Sequence, residues 1–168
     1  SLALTQPRQN VGTWWLLTNS PRLKYSWLAQ LGAIVVSRAA YDDIVSSGDV
    51  PRSLMAEAGH VFHMGPQIDL SLYEQAAVKR SDLYDAKLVV CSGYFEDRPM
   101  VTSLYQAEFE TMLKRDLVMI CANPDKVVRI GPDLVLCAGT LAEAYPHIAR
   151  PFFLSSKPFT TIYDLALA

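Results

Sequence analysis

The sequence predicts an α/β fold whose largely parallel sheet is covered on both faces, and three features carry that prediction. Strand-length apolar runs such as Leu88-Val89-Val90-Cys91 stop on turn residues. Stretches with apolar residues at helical spacing lie between those runs, as parallel crossovers require. A chain of 168 residues that is 51% hydrophobic can bury a sizeable core, as one domain or two small lobes.

Taken in order, residues 13–18 read as a strand stopped by Asn19-Ser20-Pro21. Residues 25–31 place Trp27, Leu28 and Leu31 on one helical face, with Gly32 as a C-terminal stop. Residues 33–36 read as a short buried strand. Residues 52–58 read as a helix, with Pro51 suited to its first turn and Gly59 past its end. A strand at 60–64 closes on Gly65-Pro66, and 70–78 is helix-like. Residues 88–91 form the clearest buried strand. Residues 103–114 alternate Leu104, Ala107, Phe109 and Leu113 with acids, the pattern of an amphipathic helix. Strands at 117–121 and 134–137, a helix at 140–148 and a short strand at 152–154 follow. Thr160 or Thr161 caps a last helix through Leu167.

Charge narrows the function classes. With 15 Lys+Arg against 17 Asp+Glu, no basic stripe exists to grip a phosphate backbone, so nucleic acid is not an expected partner. The apolar runs are far too short to span a bilayer, and no membrane association is expected. Cys91, Cys121 and Cys137 are scattered and form no C-x-x-C pair, which speaks against a zinc or redox motif. Buried reduced thiols fit a cytoplasmic location.

Ligands of parallel sheets sit beyond the carboxyl ends of the strands, so the residues after each apolar run are the candidates. Thr18, Asn19 and Ser20 can present a hydroxyl, an amide and backbone N–H groups to an anion; they serve equally well to terminate a strand. Asn123-Pro124-Asp125 makes a rigid turn, with or without a ligand. Gly139 either lets the backbone approach a ligand or joins strand to helix. Lys157 follows the last strand and can neutralise a phosphoryl group as a point charge, or stand solvated at the surface. His60, His63 and His147 lack acidic or thiol partners in sequence and read as structural or surface groups.

In order, Leu16-Leu17-Thr18-Asn19-Ser20-Pro21-Arg22, Ser47-Gly48-Asp49, Asn123-Pro124-Asp125, Cys137-Ala138-Gly139 and Lys157-Pro158 with Ile162-Tyr163 form a set. That set resembles the haloacid dehalogenase-like hydrolases of class IIA, the nitrophenylphosphatase-like and sugar-phosphatase-like branch. The resemblance implies a three-layer, Rossmann-like core over 1–58 and 151–168, interrupted by an α/β cap over 59–150. It implies that Thr18 and Asn19 hold a substrate phosphoryl group and that Lys157 balances charge there. It places Ser20, Asn123, Asp125 and Gly139 among the substrate-binding residues. The implied partner is a small phosphorylated metabolite, the implied cofactor Mg²⁺, and exposed cap strands leave room for a homo-oligomer.

The chain departs from this pattern in three places. No Asp-x-Asp exists, and nothing ahead of Thr18 is acidic, so the nucleophile motif is absent from the sequence. Only Asp164 follows Lys157, so no metal ligands are visible. Ser156 stands where the family usually has glycine. The chain begins with Ser1 rather than Met, and the missing motifs are expected in a longer parent protein. The expected function is hydrolysis of a small phosphate monoester through an aspartyl-phosphate. The alternative is an inactive phosphate-binding or interaction protein on the same fold.

Overall fold

The computed structural model describes residues 12–34, 36–49, 52–74, 76–145 and 160–167. Among them are a two-stranded parallel sheet of β1 (Trp15–Thr18) and β2 (Asp43–Ser46) and a four-stranded parallel sheet. The larger sheet, ordered β4-β3-β5-β6, contains β3 (His60–Met64), β4 (Lys79–Arg80), β5 (Leu88–Cys91) and β6 (Val118–Cys121). An antiparallel hairpin, β7 (Val127–Ile130) and β8 (Asp133–Leu136), turns at Gly131, whose φ of 62° suits glycine. The helices are α1 (Lys24–Ala33), α2 (Arg52–Ala58), α3 (Gln106–Lys114), α4 (Ala138–Ala144) and α5 (Thr160–Leu167). An α/β fold with parallel sheets is what the alternating pattern required.

Strand alternation decides which helix covers which face. In the small sheet Leu16 and Ile44 pack toward Trp27 and Leu31 of α1, while Leu17 and Val45 meet Ile162 and Ala166 of α5. In the large sheet Val61, Leu88, Val90 and Ile120 gather with Met55 of α2 and Leu72. The opposite face sets Val89, Cys91, Met119 and Cys121 against Phe109 and Met112 of α3 and Leu141 of α4. Burying each of these side chains is worth roughly 1.5–3 kcal/mol, so two full faces give the large sheet its stability.

Several sequence expectations need correction. The strand expected at 33–36 is not found among the described residues there: Ala33 closes α1, and Ile34 is 64% exposed. The second strand of the small sheet is instead Asp43–Ser46, where only Ile44 and Val45 are apolar. The expected helix at 70–78 is a 3₁₀ turn, Gln67–Tyr73, followed by the edge strand β4. The expected 103–114 helix divides into a 3₁₀ turn, Thr102–Tyr105, and α3. Gly32 lies inside α1 and does not end it. The helix expected at 140–148 starts earlier, at Ala138, and α4 ends at Ala144. The strand expected at 152–154 lies outside the described residues.

All three cysteines are buried and none forms a disulfide. Burial pushes the Cys121 thiol up to about 12 from its ordinary 9.0 and raises Cys91 well above that value. The folded chain therefore keeps these thiols neutral where the unfolded chain ionises, so their stabilising contribution is whole below pH 9 and is lost as pH climbs toward 12. The melting temperature is expected to fall from about pH 9 upward, and Cys121→Ala to flatten that alkaline limb. Thermal melts across the alkaline range check it; an unchanged slope in the variant would refute the assignment to Cys121.

Candidate functional site

Both parallel sheets direct their carboxyl ends into one cavity of about 620 Å³. From the small sheet come Thr18, Asn19, Ser20 and Arg22, on the loop that leaves β1. From the large sheet come Pro66 and Asp69 after β3, Ser92 to Phe95 after β5, and Asn123 and Asp125 after β6. Val128, Ile130, Val135 and Leu136 of the hairpin supply an apolar wall. Two sheets that end on the same space give a ligand what one sheet gives at a topological switch point.

Local hydrogen bonds fix the β1 exit. The backbone N–H of Ser20 donates to Thr18 Oγ1 at 3.2 Å, and that of Arg22 donates to Ser20 Oγ at 3.2 Å. These bonds use hydroxyl lone pairs as turn acceptors and leave the Thr18 proton able to donate outward. Ser47 N–H reaches the Thr18 carbonyl at 3.0 Å, continuing the β1–β2 ladder by one residue. An alanine at Gly48 would place its Cβ 1.8 Å from the Pro21 carbonyl oxygen, so only glycine lets this loop close.

The Asn123-Pro124-Asp125 turn is built the same way. Asp125 N–H donates to Asn123 Oδ1 at 3.2 Å, and Gly139 N–H donates to the Asp125 carbonyl at 3.1 Å. Asn19 Nδ2 donates to Asp125 Oδ1 at 3.0 Å across 106 residues of chain, linking the two strand exits. The tight approach at Gly139 is to the turn itself: a Cβ there would lie 2.2 Å from the Pro124 carbonyl oxygen.

The loop after β5 is held by aromatic packing. Phe95 and Tyr105 stack with centroids 5.5 Å apart, and Phe95 N–H donates to Tyr105 Oη at 2.7 Å. The Arg98 guanidinium lies over both rings, 4.8 and 5.0 Å from their centroids, and pairs with Glu108 at 2.8 Å. Burial lowers the basicity of His63, whose ring nitrogens lie 2.9 Å from Tyr73 Oη and 3.2 Å from the Pro66 carbonyl. Those contacts make it a bracing residue, in line with the sequence reading.

Of the residues singled out from sequence, Thr18, Asn19, Ser20, Asn123 and Asp125 line the same cavity. Gly139 serves the turn beneath it. Lys157 and His147 lie outside the described residues. Sequence reasoning passed over Asp69 and Ser92, which also line the cavity and are each only 4% exposed. The signal for Asp69 was available: a lone acid among Ile68, Leu70 and Leu72 just after a strand exit. Among the described residues no group of three or more His, Cys, Asp or Glu stands together. No described helix is long and apolar enough to cross a membrane.

No protein-family model matches the chain, and no curated protein does. Solved structures do. A hydrolase of the haloacid dehalogenase-like family from Brucella suis is 37% identical over 92% of this chain, with a TM-score of 0.81. The p-nitrophenyl phosphatase of Archaeoglobus fulgidus shares the fold at 18% identity over 90% of this chain, with a TM-score of 0.68. So does the glycerol phosphate phosphatase of Mycobacterium tuberculosis in complex with magnesium, at 16% identity over 95% of this chain and a TM-score of 0.68. The chain spans 58% of the Brucella protein, 58% of the Archaeoglobus protein and 49% of the Mycobacterium protein. Identity at this level along nearly the whole chain, on a fold whose strand exits converge on Thr18 and Asn19, shows that the chain belongs to the haloacid dehalogenase-like family.

Proposed function

We propose that the protein carrying this chain hydrolyses a small phosphate monoester. The supporting observation is the shared cavity in which Thr18 and Asn19 face the Asn123–Asp125 turn. Phosphoryl transfer asks little covalent chemistry of the protein beyond the nucleophile; it asks for positioning and for donors aimed at spread negative charge. The Thr18 hydroxyl, the Asn19 amide and the Lys157 ammonium are donors of that kind.

In this reading a carboxylate from a segment outside the chain attacks phosphorus, the alcohol leaves with a proton, and water then releases phosphate from the aspartyl-phosphate. The core comprises 1–58 and 151–168 and the cap 59–150, with α2, whose Met55 packs on the large sheet, at the seam. Mg²⁺, which one of the solved relatives holds, would offset negative charge on the phosphoryl oxygens. Three buried cysteines outside any disulfide support a reducing, cytoplasmic setting.

The test is turnover of p-nitrophenyl phosphate by the full-length protein, with and without EDTA. Hydrolysis that chelation abolishes is expected. Hydrolysis indifferent to EDTA would rule out the metal-dependent route. Phosphate binding without any turnover would establish the alternative, an inactive binding protein on this fold.

A further inference from the structure

One imidazole ties together both ends of a segment that walls the cavity. Pro66, Ile68 and Asp69 reach the cavity on the chain leaving β3, and Tyr73 closes the 3₁₀ turn that follows. His63 of β3 spans that segment. Its Nε2 lies 3.2 Å from the Pro66 carbonyl, and its Nδ1 lies 2.9 Å from Tyr73 Oη. A carbonyl only accepts, so Nε2 carries a proton. Burial raises the Tyr73 hydroxyl above its ordinary value, which keeps its proton in place for donation to an uncharged Nδ1. The same Pro66 carbonyl takes the Asp69 backbone N–H at 3.1 Å. Gly65 leaves no slack between them: a Cβ there would meet Ser92 Oγ at 2.1 Å and His63 Cε1 at 3.2 Å.

Protonation of the ring reverses one of the two bonds. A charged imidazole donates from both nitrogens, so Nδ1 no longer takes the Tyr73 proton and that hydroxyl must turn away. The charged and titratable groups around the pair come from three elements: Arg80 on β4, Asp69 in the 3₁₀ turn and Cys91 on β5. Burial disfavours charge on His63, the Pro66 carbonyl favours it, and Arg80 disfavours it. A second cavity, of about 250 Å³, is lined by His63, Gly65, Gln67 and Arg80 and brings solvent to the ring. We propose that His63 is a positioning residue with a proton switch. Uncharged, it fixes the Pro66–Tyr73 wall against a bound ester; charged, it frees the Tyr73 end and weakens ester binding without touching the reacting atoms. The inference rests on the proposed phosphatase reading only for what fills the cavity. The step falls below the ring's ordinary 6.5, because burial lowers its basicity from there.

Calorimetric titration of the full-length protein with p-nitrophenyl sulfate, at about pH 5 and about pH 7.5, tests the switch. This ester keeps its single charge across that range, and its binding needs no turnover. The wild-type Kd is expected to be about fivefold higher at the acid pH, the worth of one hydrogen bond. His63→Gln presents an uncharged donor and acceptor at either pH, and is expected to bind as tightly as wild type at neutral pH with the acid step gone. Tyr73→Phe removes the switched bond and is expected to bind weakly at both. The Asp69 carboxyl titrates in all three proteins and cancels in the comparison. An acid step as large in His63→Gln as in wild type would overturn the switch, as would the wild-type step persisting in Tyr73→Phe. So would a wild type that binds alike at both pH values or not at all. Thermal melts accompany each titration, and if His63→Gln does not fold, Tyr73→Phe decides. A protein that hydrolyses p-nitrophenyl phosphate without the step sinks this inference alone; one that shows the step but never hydrolyses the ester sinks the phosphatase reading alone.

Discussion

Lys157→Ala is expected to lower kcat for a phosphate monoester about 100-fold in the full-length protein, with the melting temperature within roughly 2 °C of wild type. The resemblance gives this lysine the task of balancing charge between the nucleophile and the phosphoryl oxygens. Those oxygens carry more of the negative charge in the transition state than any neutral donor can offset. A single preorganised charge at such a point commonly lowers the barrier by about 3 kcal/mol and contributes little to folding. Lys157→Arg is expected to recover only part of the rate, because a planar fork does not replace a compact ammonium. Steady-state kinetics beside thermal melts separate the two effects. Full activity in the alanine variant would remove Lys157 from the site.

Gly139→Ala is the second large effect and acts through structure. Its Cβ would lie 2.2 Å from the Pro124 carbonyl oxygen and 2.7 Å from that of Asp125, both backbone atoms with no rotamer to yield. The turn must move, and with it the Gly139 N–H to Asp125 bond and the Asp125 carboxylate that Asn19 reaches. Overpacking against backbone costs about 3 kcal/mol, or roughly 6–12 °C in melting temperature for a chain of this size. A melt unchanged by the substitution would show that the turn is not seated as described.

What the sequence disclosed, and what it hid, follows from how each element is stabilised. β5 and β6 were legible because both of their faces are buried, which forces unbroken apolar runs. β2 was hidden because it offers only Ile44 and Val45 between Asp43 and Ser46, and because the neighbouring apolar run at 33–36 looked the better strand. Ala33 of that run instead closes α1. Half of the hairpin was legible; β7 was not, since Arg129 and an exposed Ile130 blur its alternation. The polar residues after the strands led directly to Thr18, Asn19 and Asp125. Asp69 stayed out of view because its significance is burial beside Ser92, 23 positions along the chain, a proximity made by pairing β3 with β5.

The bond from Asn19 to Asp125 has a consequence for how the site fills. It works as a latch between the two strand exits, and the N–H that closes the latch belongs to the same amide expected to receive the phosphoryl oxygens. On the proposed reading, an anion held at Asn19 lies beside the Asp125 carboxylate, and repulsion between like charges loosens the latch as the anion settles. Filling the site and slackening the tie between the two exits are then coupled through one side chain.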